Sequence, residues 1–181
     1  MPTGGGYASG MSENTTDTSG SGAWVLDPAG SSATFACKTF WGLTTVRGTF
    51  GGVAGNGTVA ADGTISGELI IDATGLDTKN KKRDEHLRSK DFFNTADYPS
   101  VVVRIVSARQ AGDTIEGTGT IEAAGQSQPL TFTAKVTAVD DATTLAGEAT
   151  VNHRALGMTW NQLGMLAGVS TGAVTARFVR A

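Results

Sequence analysis

Short runs in which apolar and polar residues alternate recur along most of this chain of 181 residues, and they limit its fold more than any other feature. The clearest run covers residues 130–138, where Leu, Phe, Ala, Val and Ala alternate with Thr, Thr, Lys and Thr. A period of two residues is that of a β-strand with one buried and one solvated face. About eight or nine such runs follow one another, joined mostly by tight turns, such as a turn at Asp27-Pro28-Ala29-Gly30 and a hairpin around Asp62-Gly63. The chain is therefore predicted to be all-β and antiparallel, as a sandwich or a barrel.

The sequence offers no amphipathic helix that could cover a broad open sheet, so the strands must bury their apolar faces against one another. Closing the sheet into a barrel would also remove its edges. A barrel of about eight strands has an interior that side chains can fill or that one small ligand can occupy. The apolar fraction is only 39%, with 25 glycines and many small residues on the inward faces. Small inward residues leave room and favour a cavity, although periodicity alone does not distinguish barrel from sandwich.

The longest interruption of the strand pattern extends from Thr78 to Pro99. Its first half is densely charged, and we predict a short helical insert over about residues 78–90. Its second half carries the aromatic residues Phe92, Phe93 and Tyr98. We interpret this segment as a cover at the mouth of a barrel that holds an apolar ligand.

A simpler interpretation of the same segment remains open. Lys81 and Glu85, and likewise Asp84 and Arg88, have the i,i+4 spacing of ion pairs on a solvated helix. The aromatic residues would then be a core plug that closes one end of the barrel.

Residues 1–23 are rich in Gly, Ser and Thr and are predicted to form a disordered tail before a single β-domain over residues 24–181. This segment has no Lys or Arg and no apolar run, so it does not resemble a signal peptide. We therefore expect a cytoplasmic location, or a periplasmic or secreted one if a leader precedes this numbering. Met11 is an alternative start to Met1.

Composition argues against several other classes of protein. Charged residues are 17% of the chain and the net charge is −3, whereas a nucleic-acid binder normally has a basic face. One cysteine, Cys37, excludes an internal disulfide, and it shares strand parity with Phe35, which favours a small buried side chain over a nucleophile. With two histidines and one cysteine, no metal-ligand set is recognisable. No apolar run approaches the length of a membrane span, so stable membrane insertion is not expected.

Two polar groups have both a functional and a structural interpretation. Arg83 and His86 could face a polar head group at the barrel mouth, where positive charge suits a phosphate and a single donor suits a quinone carbonyl. His153 and Arg154 could act as a base with an anion clamp, or they could be a strand-end pair tied into turn hydrogen bonds.

Several stretches together resemble the signature of the YceI-like, polyisoprenoid-binding family. The central motif is the run from Arg83 to Phe93 followed by Tyr98-Pro99. It is supported by Trp24-Val25-Leu26-Asp27, by Arg47-Gly48-Thr49-Phe50, and by Arg154 with Leu156-Gly157-Met158. The resemblance extends from about Trp24 to the C-terminus, with Leu156 standing where the family usually has an aromatic residue.

This resemblance implies an extended lipocalin-like barrel with a helical insert near one end. It implies an elongated pore that binds an isoprenoid lipid, such as an isoprenoid quinone or a polyprenyl phosphate, without a cofactor or a metal. The protein would carry or sequester this lipid, and a homodimer is compatible with such barrels. The alternatives are a self-filled structural or stress-response barrel that acts through protein partners, and an enzyme acting on isoprenoid substrates, for which no convincing catalytic set is recognisable.

Strand parity and the resemblance together predict the ligand-binding residues. Along the lipid tail we expect Phe35, Phe50, Leu69, Ile71, Val103, Ile105, Phe132 and Phe178. Closing or lining one end we expect Phe92, Phe93, Tyr98, Met158 and Trp160. For the head group, or for holding the insert in place, we expect Arg83, His86 and Arg154. A register slip of one residue would move a whole strand's side chains to the outer face.

Overall fold

A computed structural model describes residues 20–160 and 167–181, and it contains nine strands and one α-helix. The strands are β1 (Gly22–Thr39), β2 (Thr44–Thr49), β3 (Val53–Val59), β4 (Ile65–Asp72), β5 (Ser100–Ala111), β6 (Thr114–Ala123), β7 (Gln126–Val139), β8 (Ala142–Val151) and β9 (Ser170–Arg180). A 3-10 turn (Phe40–Gly42) follows β1, and the helix α1 (Lys81–Arg88) lies between β4 and β5.

The sheet closes on β1. Strands β3 to β9 form an antiparallel meander in chain order, and β9 then pairs with β1. On its other edge, β1 pairs with β3 through its first residues and with β2 through residues 34–39. The result is a closed antiparallel barrel of eight strands with β2 as an additional strand, which confirms the predicted barrel of about eight strands with a short helical insert.

The two ends of the barrel differ. One end carries the connections β1–β2, β4–β5 and β8–β9, and we call it the insert end because α1 lies there. The other carries the turns after β3, β5 and β7, and we call it the hairpin end. The predicted hairpin at Asp62-Gly63 is confirmed at this end, where the Thr64 N–H donates to the Asp62 side chain at 2.9 Å and Gly63 adopts a φ of 85°.

The first strand is longer than we predicted. We placed a turn after Leu26, at residues 27–30, but β1 continues through these residues with a register shift between Asp27 and Ser32 against β9. Arg177 on β9 fixes this bulge, because its backbone N–H donates to the Ser31 hydroxyl at 2.9 Å and its guanidinium pairs with Asp27. The prediction of a turn at residues 27–30 was wrong.

Strand β5 contains a second bulge. Its register against β6 shifts between Ile105 and Ser107, which leaves Val106 exposed and brings Ala108 back to the buried face. A bulge adds a residue to one strand and reverses the inward and outward pattern beyond it. The predicted inward parity of Val103 and Ile105 therefore holds, but it does not extend past residue 106.

The helix α1 lies within the predicted insert. Asn80 caps its first turn by accepting a hydrogen bond from the Arg83 N–H at 3.1 Å. The predicted ion pair between Asp84 and Arg88 does not form. Asp84 instead accepts hydrogen bonds from Thr78, while Arg88 donates to backbone carbonyls of the loop before the helix. Within the described part of the chain, no helix has the length and apolar character needed to cross a bilayer.

The predicted tail covers residues 1–23, and residues 1–19 of it lie outside the described part of the chain. Gly22 and Ala23 already belong to β1, where they pair with Val59 and Thr58 of β3. The barrel thus begins two residues earlier than the boundary we placed at Trp24.

Candidate functional site

An apolar cavity of about 810 Å³ runs along the barrel interior. At the hairpin end its wall includes Val59, Gln110 and Thr143, and at the insert end it includes Lys82 and Trp160. The volume lies in the upper part of the range for small-molecule sites in proteins. The wall is built mainly from inward side chains of all eight barrel strands, so the space is enclosed by the fold itself.

The predicted strand residues line this cavity. Among them are Phe35, Phe50, Leu69, Ile71, Val103, Ile105, Phe132 and Phe178. On β7 the alternation is clear, since Leu130 is buried and Phe132 half-buried at the wall, whereas Thr131 and Thr133 are exposed outside. Glycine makes room for the Phe132 ring, because a Cβ on Gly117 would lie 2.8 Å from it.

A cluster of three phenyl rings lies where the insert meets the barrel. The Phe93 ring centroid is 5.7 Å from that of Phe50, edge to face, and 6.2 Å from that of Phe35. Phe35 and Phe50 lie 5.0 Å apart. Gly48 on β2 permits this arrangement, because a Cβ there would collide with the Phe35 ring. The insert thus contributes an aromatic side chain directly to the cavity wall.

A second aromatic cluster lies beside it. The His86 ring centroid is 4.5 Å from that of Trp160 and 5.2 Å from that of Phe92, both edge to face. His86 Nε2 also lies 2.8 Å from an Asp91 carboxylate oxygen. Met158, which is buried, lines the same end of the cavity. Phe92, Met158 and Trp160 were predicted to line or close one end, and the structure places them at the insert end. His86, which was predicted to face the head group or to hold the insert in place, lies among them.

Arg83 lines the cavity, but its guanidinium is already engaged. Its Nε donates to the Thr78 hydroxyl and its Nη2 donates to the Thr78 carbonyl, each at 2.7 Å. Asp84 accepts from the same residue, from the Thr78 N–H at 2.9 Å and the hydroxyl at 2.6 Å. Of the two predicted roles for Arg83, these contacts favour holding the insert in place.

Polar groups of β1, β9 and the β8–β9 connection meet at the insert end of the cavity wall. His153 is buried, and its Nδ1 lies 2.8 Å from the Ser170 hydroxyl oxygen. Burial lowers the pKa of His153 below its ordinary value of 6.5, and the neighbouring charge of Arg154 lowers it further. The imidazole is therefore neutral near pH 7, and it offers one donor and one acceptor.

Cys37 belongs to the same polar region. Burial raises the pKa of its thiol above the ordinary 9.0, although a hydrogen bond with Ser170 acts in the opposite direction. The prediction that it shares the inward face with Phe35 is correct, but the side chain is half-buried at the cavity wall instead of packed in the core. Cys37, Ser170 and His153 thus form an uncharged polar patch in an otherwise apolar wall.

Two predicted site residues lie elsewhere. Tyr98 is half-exposed and packs on the turn between β6 and β7, where a Cβ on Gly125 would lie 2.6 Å from its ring. Arg154 is exposed and contacts the backbone at Gly168, where an added Cβ would lie 3.3 Å from the guanidinium. Neither residue belongs to the described cavity wall.

Other wall residues were not predicted. Leu145 and Val174 line the cavity from β8 and β9, and strand parity could have identified both. Asn80 and Lys82 reach the wall from the start of the insert. Lys82 lies four residues before His86, so a helical wheel of the insert would have placed them on one face. Within residues 20–160 and 167–181, no three His, Cys, Asp or Glu side chains lie close enough together to hold a metal ion.

The fold and the site define a closed antiparallel β-barrel with a mainly apolar lumen. The chain belongs to the YceI-like family, whose domain model matches residues 24–178. Protein YceI of Escherichia coli O17:K52:H18 is 40% identical over 68 residues, which are 38% of this chain and 36% of that protein. Protein YceI of Salmonella arizonae is 34% identical over a segment of the same length. The matched segment thus spans little more than a third of these relatives.

Solved structures share the fold at low sequence identity. BcnA of Burkholderia cenocepacia superposes with a TM-score of 0.75 at 17% identity, covering 84% of this chain and 98% of that one. A domain from Saccharophagus degradans, described as polyisoprenoid-binding and implicated in plant cell wall breakdown, gives a TM-score of 0.69 at 13% identity, covering 87% and 98%. At these identities the similarity is one of fold.

Proposed function

We propose that the protein binds an isoprenoid lipid along its barrel interior and carries or sequesters it. The observation that carries this proposal is the apolar cavity of about 810 Å³, whose wall extends from the hairpin end to the insert end. The family membership and the polyisoprenoid-binding description of one structural neighbour support the choice of ligand. A carrier role requires no covalent step.

The dimensions suit a long, thin ligand. Strand β7 has 14 residues. At about 3.3 Å per residue and a strand tilt near 40°, it spans roughly 35 Å along the barrel axis. An isoprenoid tail is almost entirely apolar, and each Å² removed from water contributes about 25 cal/mol. Because the barrel is preformed, little ordering of the protein would oppose binding.

We further propose that the head group lies at the insert end and is a quinone or a polyprenyl phosphate. The neutral patch of His153, Ser170 and Cys37 offers hydrogen-bond donors that suit a quinone carbonyl. Lys82, at the exposed rim of the same end, offers the charge that suits a phosphate. Binding measured separately for the two ligand types would distinguish these chemistries.

One pair of substitutions on β7 tests the proposal. Phe132→Arg places a charge in the cavity wall, whereas Thr133→Arg places the same charge on the exposed outer face of the same strand. Binding of a long-chain quinone or a polyprenyl phosphate should weaken by roughly 100-fold in the first variant and stay within about twofold in the second.

Circular dichroism of both variants establishes that they are folded. A folded Phe132→Arg variant with unchanged lipid affinity would contradict the proposal and favour a barrel that serves a structural role through protein partners.

A further inference from the structure

The loop between β1 and β2 exposes three bulky apolar side chains within four residues. Phe40 is 49% exposed, Trp41 is 72% exposed and Leu43 is 86% exposed. Single exposed apolar residues are common on protein surfaces, but a contiguous exposed group marks a contact site. The loop therefore presents an apolar tip to the surroundings of the barrel.

The backbone holds this tip in an unfavourable conformation. Phe40 and Trp41 have φ values of 50° and 54°, and Gly42 follows with a φ of 90°. Left-handed conformations are disfavoured for residues with a Cβ, and least expected for bulky ones. The Leu43 N–H donates to the Phe40 carbonyl at 3.1 Å and closes the turn. Strain of this kind is concentrated at functional sites, so it supports a function for the exposed side chains.

The tip stands beside the insert-end mouth of the cavity. Thr39 and Val46, which flank the loop on β1 and β2, both line the cavity wall. So do Asn80 and Lys82 on the exposed start of the insert. A lipid that enters or leaves at the insert end would therefore pass close to the apolar tip.

The surroundings of the tip are basic although the whole chain has a net charge of −3. Segments 34–49 and 79–83 together contain six of the chain's 14 Lys and Arg residues and none of its 17 Asp and Glu residues. Four of these cations are exposed and have no salt bridge within the described residues, namely Lys38, Arg47, Lys81 and Lys82. Of the carboxylates that flank segment 79–83, Asp77 pairs with Lys79, Asp84 accepts hydrogen bonds from Thr78, and Glu85 is exposed on α1.

We propose that the β1–β2 loop docks the insert end of the barrel onto an anionic lipid bilayer. Trp41, Phe40 and Leu43 would enter the interfacial region, where aromatic side chains are favoured, and the basic residues would face the anionic head groups. This inference rests on the proposed function for its purpose, which is exchange of the isoprenoid ligand between bilayer and cavity. The charges favour a bilayer over a protein partner, because lysine is depleted at protein–protein interfaces.

Co-sedimentation of the full chain with lipid vesicles tests the docking. We use vesicles of phosphatidylcholine with phosphatidylserine, and vesicles of phosphatidylcholine alone, both free of isoprenoids. The chain should bind the anionic vesicles, and added salt should weaken binding. Trp41→Ser with Leu43→Ser should reduce binding roughly tenfold or more, and Lys38→Glu with Arg47→Glu should do the same. The control Val139→Ser, which changes an exposed apolar residue at the hairpin end, should bind like the unmodified chain.

Two results would overturn the docking proposal. One is a loop variant that binds anionic vesicles as well as the unmodified chain does. The other is a dimer that protects Trp41 from a soluble quencher, because the tip would then contact a second copy.

Uptake of a long-chain quinone and of a polyprenyl phosphate from detergent, measured on the same variants, separates docking from ligand binding. The substituted residues lie outside the cavity wall, so the variants should take up the ligand as the unmodified chain does. Vesicle binding by a chain that takes up neither lipid would retain the docking and refute the proposed ligand.

Discussion

Asp84 accepts two hydrogen bonds from Thr78, one from the backbone N–H at 2.9 Å and one from the hydroxyl at 2.6 Å. The carboxylate is buried, and Arg83 donates to the same threonine from the other side. These contacts tie the first turn of α1 to the chain segment that enters it. The insert also supplies His86, Phe92 and Phe93 to the cavity wall. The hydrogen bonds around Thr78 therefore position the residues that close one end of the cavity.

Removal of the Asp84 carboxylate should loosen the insert. Asp84→Ala leaves the Thr78 donors without their buried acceptor, so we expect the free energy of unfolding to fall by about 3 kcal/mol. Asp84→Asn keeps an acceptor but loses the charge, so a smaller loss of about 1–2 kcal/mol is expected. Urea denaturation measures both.

The neighbouring Glu85, which is exposed, supplies the control for this experiment. Glu85→Ala should change stability by less than about 0.5 kcal/mol. Equal effects of the Asp84 and Glu85 substitutions would contradict the anchoring role of Asp84.

The two aromatic residues Phe93 and Tyr98, which both follow α1, should differ in their effect on lipid binding. Phe93→Ala removes a ring from the cavity wall, and lipid affinity should fall roughly tenfold. Tyr98→Ala removes a ring that packs on Gly125 outside the wall, and affinity should stay within about twofold. Titration with a long-chain quinone compares the two, and a larger loss for Tyr98→Ala would place the ligand outside the described cavity.

Cys37 should report whether the cavity is occupied. It is the only cysteine of the chain, so thiol labelling reads a single site. Because burial raises the pKa of its thiol, little thiolate is present near pH 7, and a maleimide should react more slowly with the folded chain than with the urea-unfolded chain. Addition of the lipid should slow the reaction further. Equal labelling of the empty and loaded protein would show that the ligand does not reach the Cys37 part of the wall.

His153 should make stability depend on pH in a definite direction. Its pKa is lowered by folding, so below about pH 6.5 the unfolded chain binds more protons than the folded chain. Stability should therefore decline as the pH falls through 6.5 towards the folded-state pKa, and this contribution is complete above 6.5. Urea midpoints across this range should show a smaller decline in His153→Gln than in the unmodified chain.

The variant His86→Gln serves as a comparison for the pH experiment, since it leaves the contribution of His153 in place. A decline that is unchanged in His153→Gln would show that His153 is not the responsible group.

Strand parity predicted much of the cavity wall because closure of the barrel determines which face of each strand is turned to the interior. Once a sheet closes, every inward side chain of a strand such as β7 must face the lumen, so alternation in the sequence translates directly into position. Phe132 and Phe178 were placed correctly for this reason.

The bulges could not be predicted by the same argument. The sequence from Asp27 to Gly30 has the residues of a turn, but a bulge needs the same residues. Only the pairing of β1 with β9, and the contacts of Arg177 across it, make this segment part of one long strand. Such information lies in residues far away in the chain.

Residues in connections have no parity to guide a prediction. Phe92, Phe93 and Tyr98 looked equivalent in the sequence, but the turns after α1 direct the first two to the cavity wall and leave Tyr98 on the outside. The patch of His153, Ser170 and Cys37 was missed as a unit because it joins three segments that are distant in sequence.

Native mass spectrometry of the protein purified from its own host, followed by solvent extraction, shows whether the barrel holds an isoprenoid lipid. We expect one isoprenoid lipid per barrel, and identification of its head group would show whether the neutral patch at His153 or the cation at Lys82 should be altered first. Protein that is empty as purified and also takes up neither quinones nor polyprenyl phosphates would refute the proposed lipid-binding function.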